Sequence, residues 1–183
     1  MIYEVRTYDL HPGKVAEFED GFGRAYERRQ RFSRLAAFWH TEIGPLHQVI
    51  HVWPYASIEE RVRIRSEAVN DGHWPPPNSA LIARMQSDIY LPVPGAPELV
   101  PGRHGPYFEI CISTYRTATL ARIMEALGGR SIAWYSEIGS LNKVLQVFPL
   151  RALDERKAQP LPPELLVCVE SKVVMPSSFS PVQ

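Results

Sequence analysis

The stretch TEIGPLHQVIHVWPYASIEER, residues 41–61, returns later in the chain as SEIGSLNKVLQVFPLRALDER, residues 136–156. Nine of the 21 aligned positions are identical without a gap, at a constant offset of 95 residues. Unrelated segments do not match at this level, so the chain contains an internal repeat. The repeated unit therefore decides which folds need to be considered.

The segments around each copy also correspond. YEVRTY near the start matches FEICIS at residues 108–113, with Glu4 aligned to Glu109. In the first copy a strand, a helix, a hairpin around Gly44-Pro45, a second helix and a last strand follow one another, and the second copy keeps this order in shorter form. The order β-α-β-β-α-β is that of the ferredoxin-like fold. We predict an α+β protein built from tandem ferredoxin-like repeats.

The same segments give the predicted boundaries. A first repeat at residues 1–92 is joined by a Pro-rich linker at 93–106 to a second, shorter repeat at 107–176. Residues 177–183 are expected to form a flexible tail. Each sheet has a second face that must be covered. Either the two repeats pack together, or each meets its equivalent in a second chain, and both arrangements enclose a barrel.

The residues RTY…PGK…FWHTEIGPLHQVIHVWPYASIEER…R resemble the NIPSNAP family over most of residues 1–75. The second copy resembles a weaker repeat of the same family. The resemblance implies a dimeric α/β barrel with ferredoxin-like halves and a homodimer. It implies no established reaction, because bacterial-type members are mostly uncharacterised and animal members are associated partly with mitochondria and with protein partners.

The composition excludes several classes of function. Twenty basic and 20 acidic residues give a formal net charge of zero, whereas a nucleic-acid-binding protein normally has a basic excess or patch. No apolar run approaches the roughly 20 residues that span a bilayer. The start, MIYEVRTYDL, has neither the basic end nor the apolar core of a signal peptide. We expect a cytoplasmic protein without nucleic-acid or membrane partners.

Side chains alternate along a strand, so a tight turn at Gly44-Pro45 sorts the hairpin into two faces. It places Phe38 opposite His51, His40 opposite Val49 and Glu42 opposite His47. One face is polar and aromatic, and consists of Phe38, His40, Glu42, His47, Val49, His51 and Trp53. The other face is mostly apolar. We therefore expect the apolar face to meet the helices and the polar-aromatic face to line the barrel.

The second copy serves as an internal control. Residues kept in both copies serve the common fold, which favours a structural role for Glu42 and its counterpart Glu137 even though Glu42 is the obvious acid. Residues that only the first copy carries are free to serve function. These are Arg6, Tyr8, His40, His47, His51 and Tyr55.

Three interpretations of the histidines stay open. A metal site of His40, Glu42 and His47 is sterically allowed, although His47 and His51 lie about 13 Å apart along a strand and cannot share one ion. In an acid/base site, Glu42 orients His47 for proton transfer near neutral pH. In the third interpretation, each histidine only forms local hydrogen bonds. We predict His40, His47 and Glu42 as catalytic residues.

The predicted substrate-binding residues are Arg6, Tyr8, His51, Trp53 and Tyr55. An arginine such as Arg6 can hold an anionic group or stabilise an enolate-like charge. Trp74, which precedes three prolines, either caps the pocket or packs beneath a loop. The sequence has no glycine-rich nucleotide loop, no GxSxG and no haem or flavin motif, so we expect no organic cofactor.

Two classes of function follow from these patterns. In the first, the protein binds a small molecule, as a binding protein or a cofactor-independent enzyme, in a polar-aromatic pocket inside the barrel. In the second, it is a non-catalytic interaction or scaffold protein that acts through its outer surface. The first is favoured because the polar residues of the first copy lie on the predicted inside.

Overall fold

The computed structural model describes residues 1–156 and 161–183, which contain eight β-strands and three α-helices. In chain order these are β1 (Ile2–Leu10), α1 (Val15–Arg29), β2 (Ala37–Ile43), β3 (Gln48–Tyr55), α2 (Ile58–Asn70), β4 (Ile82–Pro92), β5 (Tyr107–Tyr115), α3 (Leu120–Leu127), β6 (Ile132–Ile138), β7 (Lys143–Leu150) and β8 (Leu166–Pro176). The second helix that the repeated element order predicts for the second copy is instead a short 3₁₀ turn at Leu153–Glu155, and residues 157–160 lie outside the described part.

The eight strands close into one antiparallel barrel in the order β1-β3-β2-β8-β5-β7-β6-β4. Each half contributes four strands in the ferredoxin-like order, with its first strand between its third and fourth. The halves join where β2 pairs with β8 and where β4 pairs with β6. The predicted fold class is confirmed. Because one chain closes the barrel, the fold does not require a second chain, and the homodimer stays a prediction.

Aromatic and aliphatic side chains from both halves fill the barrel interior. Trp39 of the first half packs on Phe108 of the second, with ring centroids 5.4 Å apart. Their repeat counterparts, Trp134 of the second half and Tyr3 of the first, stack at 4.6 Å. Ile50 belongs to this same cluster. An eight-stranded barrel has an interior just wide enough for side chains to fill, so the more apolar face of each hairpin turns inward.

The expectation that the polar-aromatic face lines the barrel is therefore wrong. The hairpin register itself is confirmed, because Phe38 lies opposite His51 and His40 opposite Val49. The face that carries these residues points outward instead, where helix α1 covers it. Phe18, Phe22 and Tyr26 of α1 pack against this side of the first sheet. A functional pocket on this face thus lies between sheet and helices.

The second helix crosses the same side of the first sheet. The Ser57 hydroxyl accepts a hydrogen bond from the Glu60 backbone N–H at 3.2 Å and so caps the N-terminus of α2. The cap fixes where the helix begins. Arg61 and Arg65, about one turn apart, then reach Glu4 on the outer face of β1. In the second half α3 covers the sheet, with Ile123 and Leu127 in its core.

The chain end, expected to be loose, is instead packed. Phe179 contacts Phe22 and Phe38, with ring centroids 5.7 and 4.8 Å apart. Val182 is fully buried, and the Gln183 backbone N–H donates to the Gly102 carbonyl at 2.9 Å. The apolar contacts of Phe179 and Val182 hold this short, mostly polar segment against the barrel.

Candidate functional site

A cavity of about 380 Å³ lies between the outer face of the first sheet, helix α1 and the loop that follows α2. Aromatic and proline side chains form much of its wall, and arginines project into it from four separate segments. The described lining is Arg6, Tyr8, Phe18, Phe22, Arg29, His51, Trp53, Arg65, Trp74, Pro75, Pro76, Asn78, Ser79, Ile82, Ala83, Arg84 and Met85. Its size and mixed wall are those of a small-molecule site.

His51 lies at the floor of this cavity on β3 and is 1% exposed. Trp53, two residues later on the same face, donates from Nε1 to Nδ1 of His51 at 2.7 Å. Burial, together with the positive charges of Arg6 and Arg65, lowers the pKa of His51 well below its ordinary value. The imidazole is therefore neutral at physiological pH, and its proton must lie on Nε2 because Nδ1 accepts from the indole.

The Nε2 atom of His51 is buried and has no hydrogen-bond partner among the residues that the structure describes. Buried polar groups are normally hydrogen-bonded, and leaving one unsatisfied costs about 1–3 kcal/mol. Phe22 and Phe38 flank the imidazole, with centroids 5.1 and 5.5 Å away. A neutral N–H donor in an aromatic wall of this kind is suited to a ligand oxygen.

A buried carboxylate organises the positive side of the cavity. Glu4 Oε1 accepts from Arg6 Nη1 at 2.7 Å, Arg61 Nη2 at 2.6 Å and Ser87 Oγ at 2.8 Å. Arg65 Nη1 lies 3.7 Å from Oε2. Burial alone would raise the pKa of Glu4, but the Arg61 hydrogen bond and the charges of Arg6 and Arg65 hold it at about 2. Glu4 is thus a fixed anion rather than a base.

Arg6 connects this carboxylate to the cavity. Its Nε donates to the Tyr8 hydroxyl at 2.6 Å while Nη1 binds Glu4. The hydroxyl oxygen accepts from Arg6, so its own proton is free to point toward a ligand. The Tyr8 ring also meets His51 edge to face at 4.9 Å. Arg6, Tyr8 and His51 therefore present three donors to one part of the cavity.

Arg29 brings a second buried cation to the other side. It is 2% exposed, and its guanidinium lies over the rings of Trp53 and Trp74, with the central carbon 4.6 and 5.5 Å from the centroids. It donates to the Ser33 hydroxyl at 2.8 Å and to the Tyr55 hydroxyl at 3.4 Å. Burial lowers the pKa of Arg29. In the described part of the chain it forms no ion pair with a carboxylate.

The second half repeats the buried glutamate and its partners, but it lacks the side chains that donate into the cavity. Glu109 accepts from Arg156 Nη2 and Ser171 Oγ, both at 2.7 Å, as Glu4 does from Arg61 and Ser87. At the four positions equivalent to these cavity residues, the second half has different side chains. Cys111, Ser113, Gln146 and Phe148 stand where the first half has Arg6, Tyr8, His51 and Trp53. The glutamate–arginine–serine cluster thus belongs to the common fold, and the donors belong to the first half alone.

The structure brings together most of the predicted substrate-binding residues. Four of them line the cavity, namely Arg6, Tyr8, His51 and Trp53. Tyr55 lies behind the wall and accepts a hydrogen bond from Arg29, which does line it. Trp74, the aromatic residue before the prolines, also lines it.

The predicted catalytic residues do not reach this cavity. His40 Nδ1 is 2.8 Å from Glu19 Oε1, and this hydrogen bond raises the pKa of His40. Glu42 is exposed and His47 is half-buried near the hairpin turn, and His47 adopts a positive φ of 58°. The predicted His–Glu pair therefore does not form a pocket. Within residues 1–156 and 161–183, no group of three or more His, Cys, Asp and Glu side chains could hold a metal ion.

Sequence reasoning missed Arg29, Arg65 and Arg84 as site residues. A signal was present for Arg29, because Phe18, Phe22, Tyr26 and Arg29 share the buried stripe of α1. An arginine on such a stripe needs a polar or aromatic partner there.

Across the described residues, no helix is long and apolar enough to cross a membrane.

Comparison with known proteins places this geometry in a family. The NIPSNAP family model matches residues 3–97. A NipSnap homolog of Dictyostelium discoideum is 33% identical over 95 residues, which cover 50% of this chain and 43% of that protein. The match thus spans less than half of that relative's length. Human NipSnap homolog 3A is 26% identical over 214 residues, covering 100% of this chain and 86% of that protein.

A solved structure shows the same fold over almost the whole chain. A Fusobacterium nucleatum protein with a provisional monooxygenase name superimposes with a TM-score of 0.64, covering 96% of this chain and 91% of its own. Only 9% of the aligned residues are identical, so the likeness shows the fold alone.

Proposed function

The chain belongs to the NIPSNAP family, and on that premise we propose that it binds a small anionic molecule with an aromatic part in the cavity between the first sheet and its helices. It does so as a binding protein or as an enzyme that needs no organic cofactor. The pocket expected inside the barrel is thereby replaced by one on the barrel's outer face. The residues that hold the ligand are Arg6, Tyr8, Arg29, His51, Trp53 and Arg65.

One observation carries the proposal. The described lining contains four arginines and no acidic residue, and one of these arginines, Arg29, is buried without a carboxylate partner. Burying a cation is costly unless an anion or a π-face compensates it. Glu4, behind Arg6, compensates part of the charge. An anionic ligand would compensate the rest, and its planar part would lie among Phe22, Trp53 and Trp74.

The chemistry that this arrangement supports is stabilisation of negative charge. A neutral His51 donates from Nε2 and the Tyr8 hydroxyl donates beside it, so both can polarise a carbonyl or hold an enolate-like oxygen. Arg6 supplies positive charge at the same place. Glu4 is an unsuitable base, because its pKa is about 2. Any proton abstraction would therefore need a base supplied by the ligand or by water.

The experiment has two steps. Native mass spectrometry of the purified protein first shows whether a small molecule is retained. Calorimetry then compares an aromatic carboxylate such as 1-naphthoate with its neutral amide, for the wild type, Arg6→Gln and Arg156→Gln. We expect the carboxylate to bind more tightly than the amide, Arg6→Gln to remove this preference and Arg156→Gln to keep it.

Two results would oppose the proposal. Equal binding of acid and amide would show that the arginines do not select charge. No binding of any aromatic anion, together with normal partner capture by cavity variants, would favour the scaffold function that acts through the outer surface.

A further inference from the structure

A second cavity, of about 190 Å³, lies inside the barrel at one end. Its apolar lining includes Val5, Ile50 and Ile110, which belong to the cluster that fills the barrel interior. Polar side chains from both halves also line it, and the charged ones are Asp9, Arg84, Asp88, Lys143, Glu170 and Lys172. The exposed Glu42 and Glu137 of the hairpin turns lie outside this described lining. Among the described residues, the cavity shares only Arg84 with the ligand cavity on the outer face.

Lys172 reaches this cavity from β8. Side chains alternate along a strand, so Lys172 shares the inner face of β8 with Val174, which is fully buried in the interior cluster. Gly44 of the first hairpin turn packs against the start of the lysine side chain, because a Cβ added at Gly44 would lie 2.9 Å from Lys172 Cβ. Lys172 is consequently only 8% exposed.

The fold does not require a lysine at this position. Ser87 and Ser171 are equivalent, because each donates to the buried glutamate of its half, and the residues that follow them are Asp88 and Lys172. Asp88 holds the second hairpin turn by accepting from the Ser140 backbone N–H at 2.9 Å. Within the described residues, Lys172 makes no such bond to the first turn and donates into the barrel instead.

Lys172 is buried without a carboxylate partner, whereas buried lysines are normally paired. In the described part of the chain it forms no ion pair and one side-chain hydrogen bond, from Nζ to Gln48 Oε1 at 2.6 Å. Gln48 donates from Nε2 to Asp9 at 2.7 Å, which fixes the orientation of its amide. An ammonium group has three protons to donate, and here one of them has a protein acceptor. This environment favours the neutral amine.

The surrounding charges give the same result. Burial lowers the pKa of Lys172 and outweighs the opposing charges of Glu170 and Asp9. The positive charge of Lys143 adds to the lowering. A neutral amine has a free lone pair and is a nucleophile, whereas an ammonium is not. Desolvation and a neighbouring cation are the two features that activate lysines toward carbonyl compounds.

The barrel wall is open beside this lysine. Residues 166–172 of β8 pair with β5, and pairing of β8 with β2 begins only at Val173. Residues 82–88 of β4 likewise pair with β1, and pairing of β4 with β6 begins at Ile89. Lys172 thus lies where β8 parts from β2. These gaps give a small molecule a route from solvent to the amine.

We propose that Lys172 forms an imine with a small, hydrophilic aldehyde or ketone in this cavity. The Nζ lone pair attacks the carbonyl carbon, and one proton moves from nitrogen to oxygen to give a carbinolamine. The second nitrogen proton then leaves with the hydroxyl group as water, and a C=N bond replaces the C=O bond. The reaction consumes no oxidant, reductant or cofactor. It is independent of the function proposed for the outer cavity.

The size of the cavity limits the carbonyl compound. A volume of 190 Å³ equals that of about six water molecules at roughly 30 Å³ each. The compound therefore has only a few non-hydrogen atoms. The polar wall favours one that carries a hydroxyl or carboxylate group beside its carbonyl group.

The test is reductive trapping near neutral pH. The protein is incubated with sodium cyanoborohydride and either glycolaldehyde or glyoxylate, and peptide mass spectrometry locates the secondary amine that forms. The chain has four lysines, namely Lys14, Lys143, Lys157 and Lys172. We expect Lys172 to be modified at least about tenfold faster than Lys14, whose side chain is 44% exposed, because a lower pKa raises the fraction of neutral amine. A preference for glyoxylate would identify an oxo acid as the ligand class, and a preference for glycolaldehyde a neutral hydroxy carbonyl compound.

Two variants assign the reactive amine. Lys172→Met removes the nucleophile and should abolish the fast modification, while the circular dichroism spectrum and melting temperature stay close to wild-type values. Lys143→Met is the matched control, because it removes a lysine of the same cavity and should slow the modification of Lys172 without abolishing it. Wild-type Lys172 that reacts no faster than Lys14 would overturn the proposal. Fast modification that survives Lys172→Met and disappears in Lys143→Met would overturn it as well, because the reactive amine would then be Lys143.

Discussion

The indole of Trp53 donates a 2.7 Å hydrogen bond to Nδ1 of His51, two residues earlier on the same face of β3. Both side chains are 1% exposed. The bond sets the tautomer, because an accepting Nδ1 leaves the proton on Nε2. Trp53, itself part of the cavity wall, thus makes the neighbouring histidine a donor toward the cavity.

Replacing this indole should change the tautomer. Trp53→Phe installs the residue found at the equivalent position, Phe148, and removes the donor to His51. We expect the ¹⁵N NMR signals of His51 to shift from an Nε2-protonated pattern toward a mixture of tautomers. The free energy of unfolding should fall by about 1–3 kcal/mol because Nδ1 is left buried without a partner. Trp74→Phe is the control, since Trp74 lines the cavity without bonding to His51, and an unchanged pattern in Trp53→Phe would contradict the assignment.

His51 itself should matter more for ligand than for fold. In His51→Gln the first half acquires the residue of the second half, Gln146, and loses the Nε2 donor. We expect the affinity for an aromatic carboxylate to fall about tenfold, which corresponds to about 1.4 kcal/mol for one hydrogen bond to a charged acceptor. Calorimetry measures the loss. The reciprocal variant Gln146→His should bind like the wild type, and an equal loss there would point to a general effect on the barrel.

The two buried glutamates should differ in their effect on acid stability. The pKa of Glu4 is lowered from 4.5 to about 2, so its contribution is fully present above pH 4.5 and is lost as the pH falls through about 2. A shift of this size corresponds to about 3 kcal/mol. In Glu4→Gln we expect a loss of about that amount at pH 7 and a flatter pH profile below 4.5, measured by urea denaturation.

Glu109→Gln is the matched variant for that experiment. Its partner Arg156 is about half exposed, so solvent screens the pair and its removal should cost less than that of Glu4. Equal losses in the two variants would contradict the role of the surrounding arginines, Arg6 and Arg65.

His40 should titrate above its ordinary range. The hydrogen bond that His40 donates to Glu19 raises the pKa of His40, so the pair stabilises the fold fully below pH 6.5 and this contribution is lost as the pH rises through the raised pKa. We expect the His40 ring proton signal to titrate above pH 6.5 in the wild type and at a lower pH in Glu19→Gln than in the wild type. The variant should lose roughly 0.5–1 kcal/mol at pH 6 and less at pH 9. A titration that Glu19→Gln leaves unchanged would exclude this pair.

The repeat made the fold predictable. Identical residues at a fixed offset define the halves, and the β-α-β-β-α-β order defines each sheet before any contact is known. The sequence separated a mostly apolar face from a polar-aromatic one, but it did not settle which of them turns inward, because either the barrel interior or the helix layer can cover an apolar face. Trp39 and its counterpart Trp134 held that information, since residues kept in both halves fill the shared interior.

The site was predictable where it depends on local sequence and not where it depends on distant packing. Comparing the halves singled out Arg6, Tyr8 and His51, which do line one cavity. His40 and His47 differ between the halves for another reason, because they lie at a helix contact and at a turn. A residue that differs between the halves lines a pocket only if a helix covers its strand at that point, and the tertiary structure decides this.

Closure of the barrel by one chain has a consequence for how the protein can change. In a barrel made of two identical subunits, each substitution appears twice, once in each sheet–helix layer. Here the layers are encoded separately, so Cys111 and Gln146 can stand on one side while Arg6 and His51 stand on the other. One gene duplication therefore frees half of the molecule to acquire new chemistry, while the other half preserves the architecture that both require.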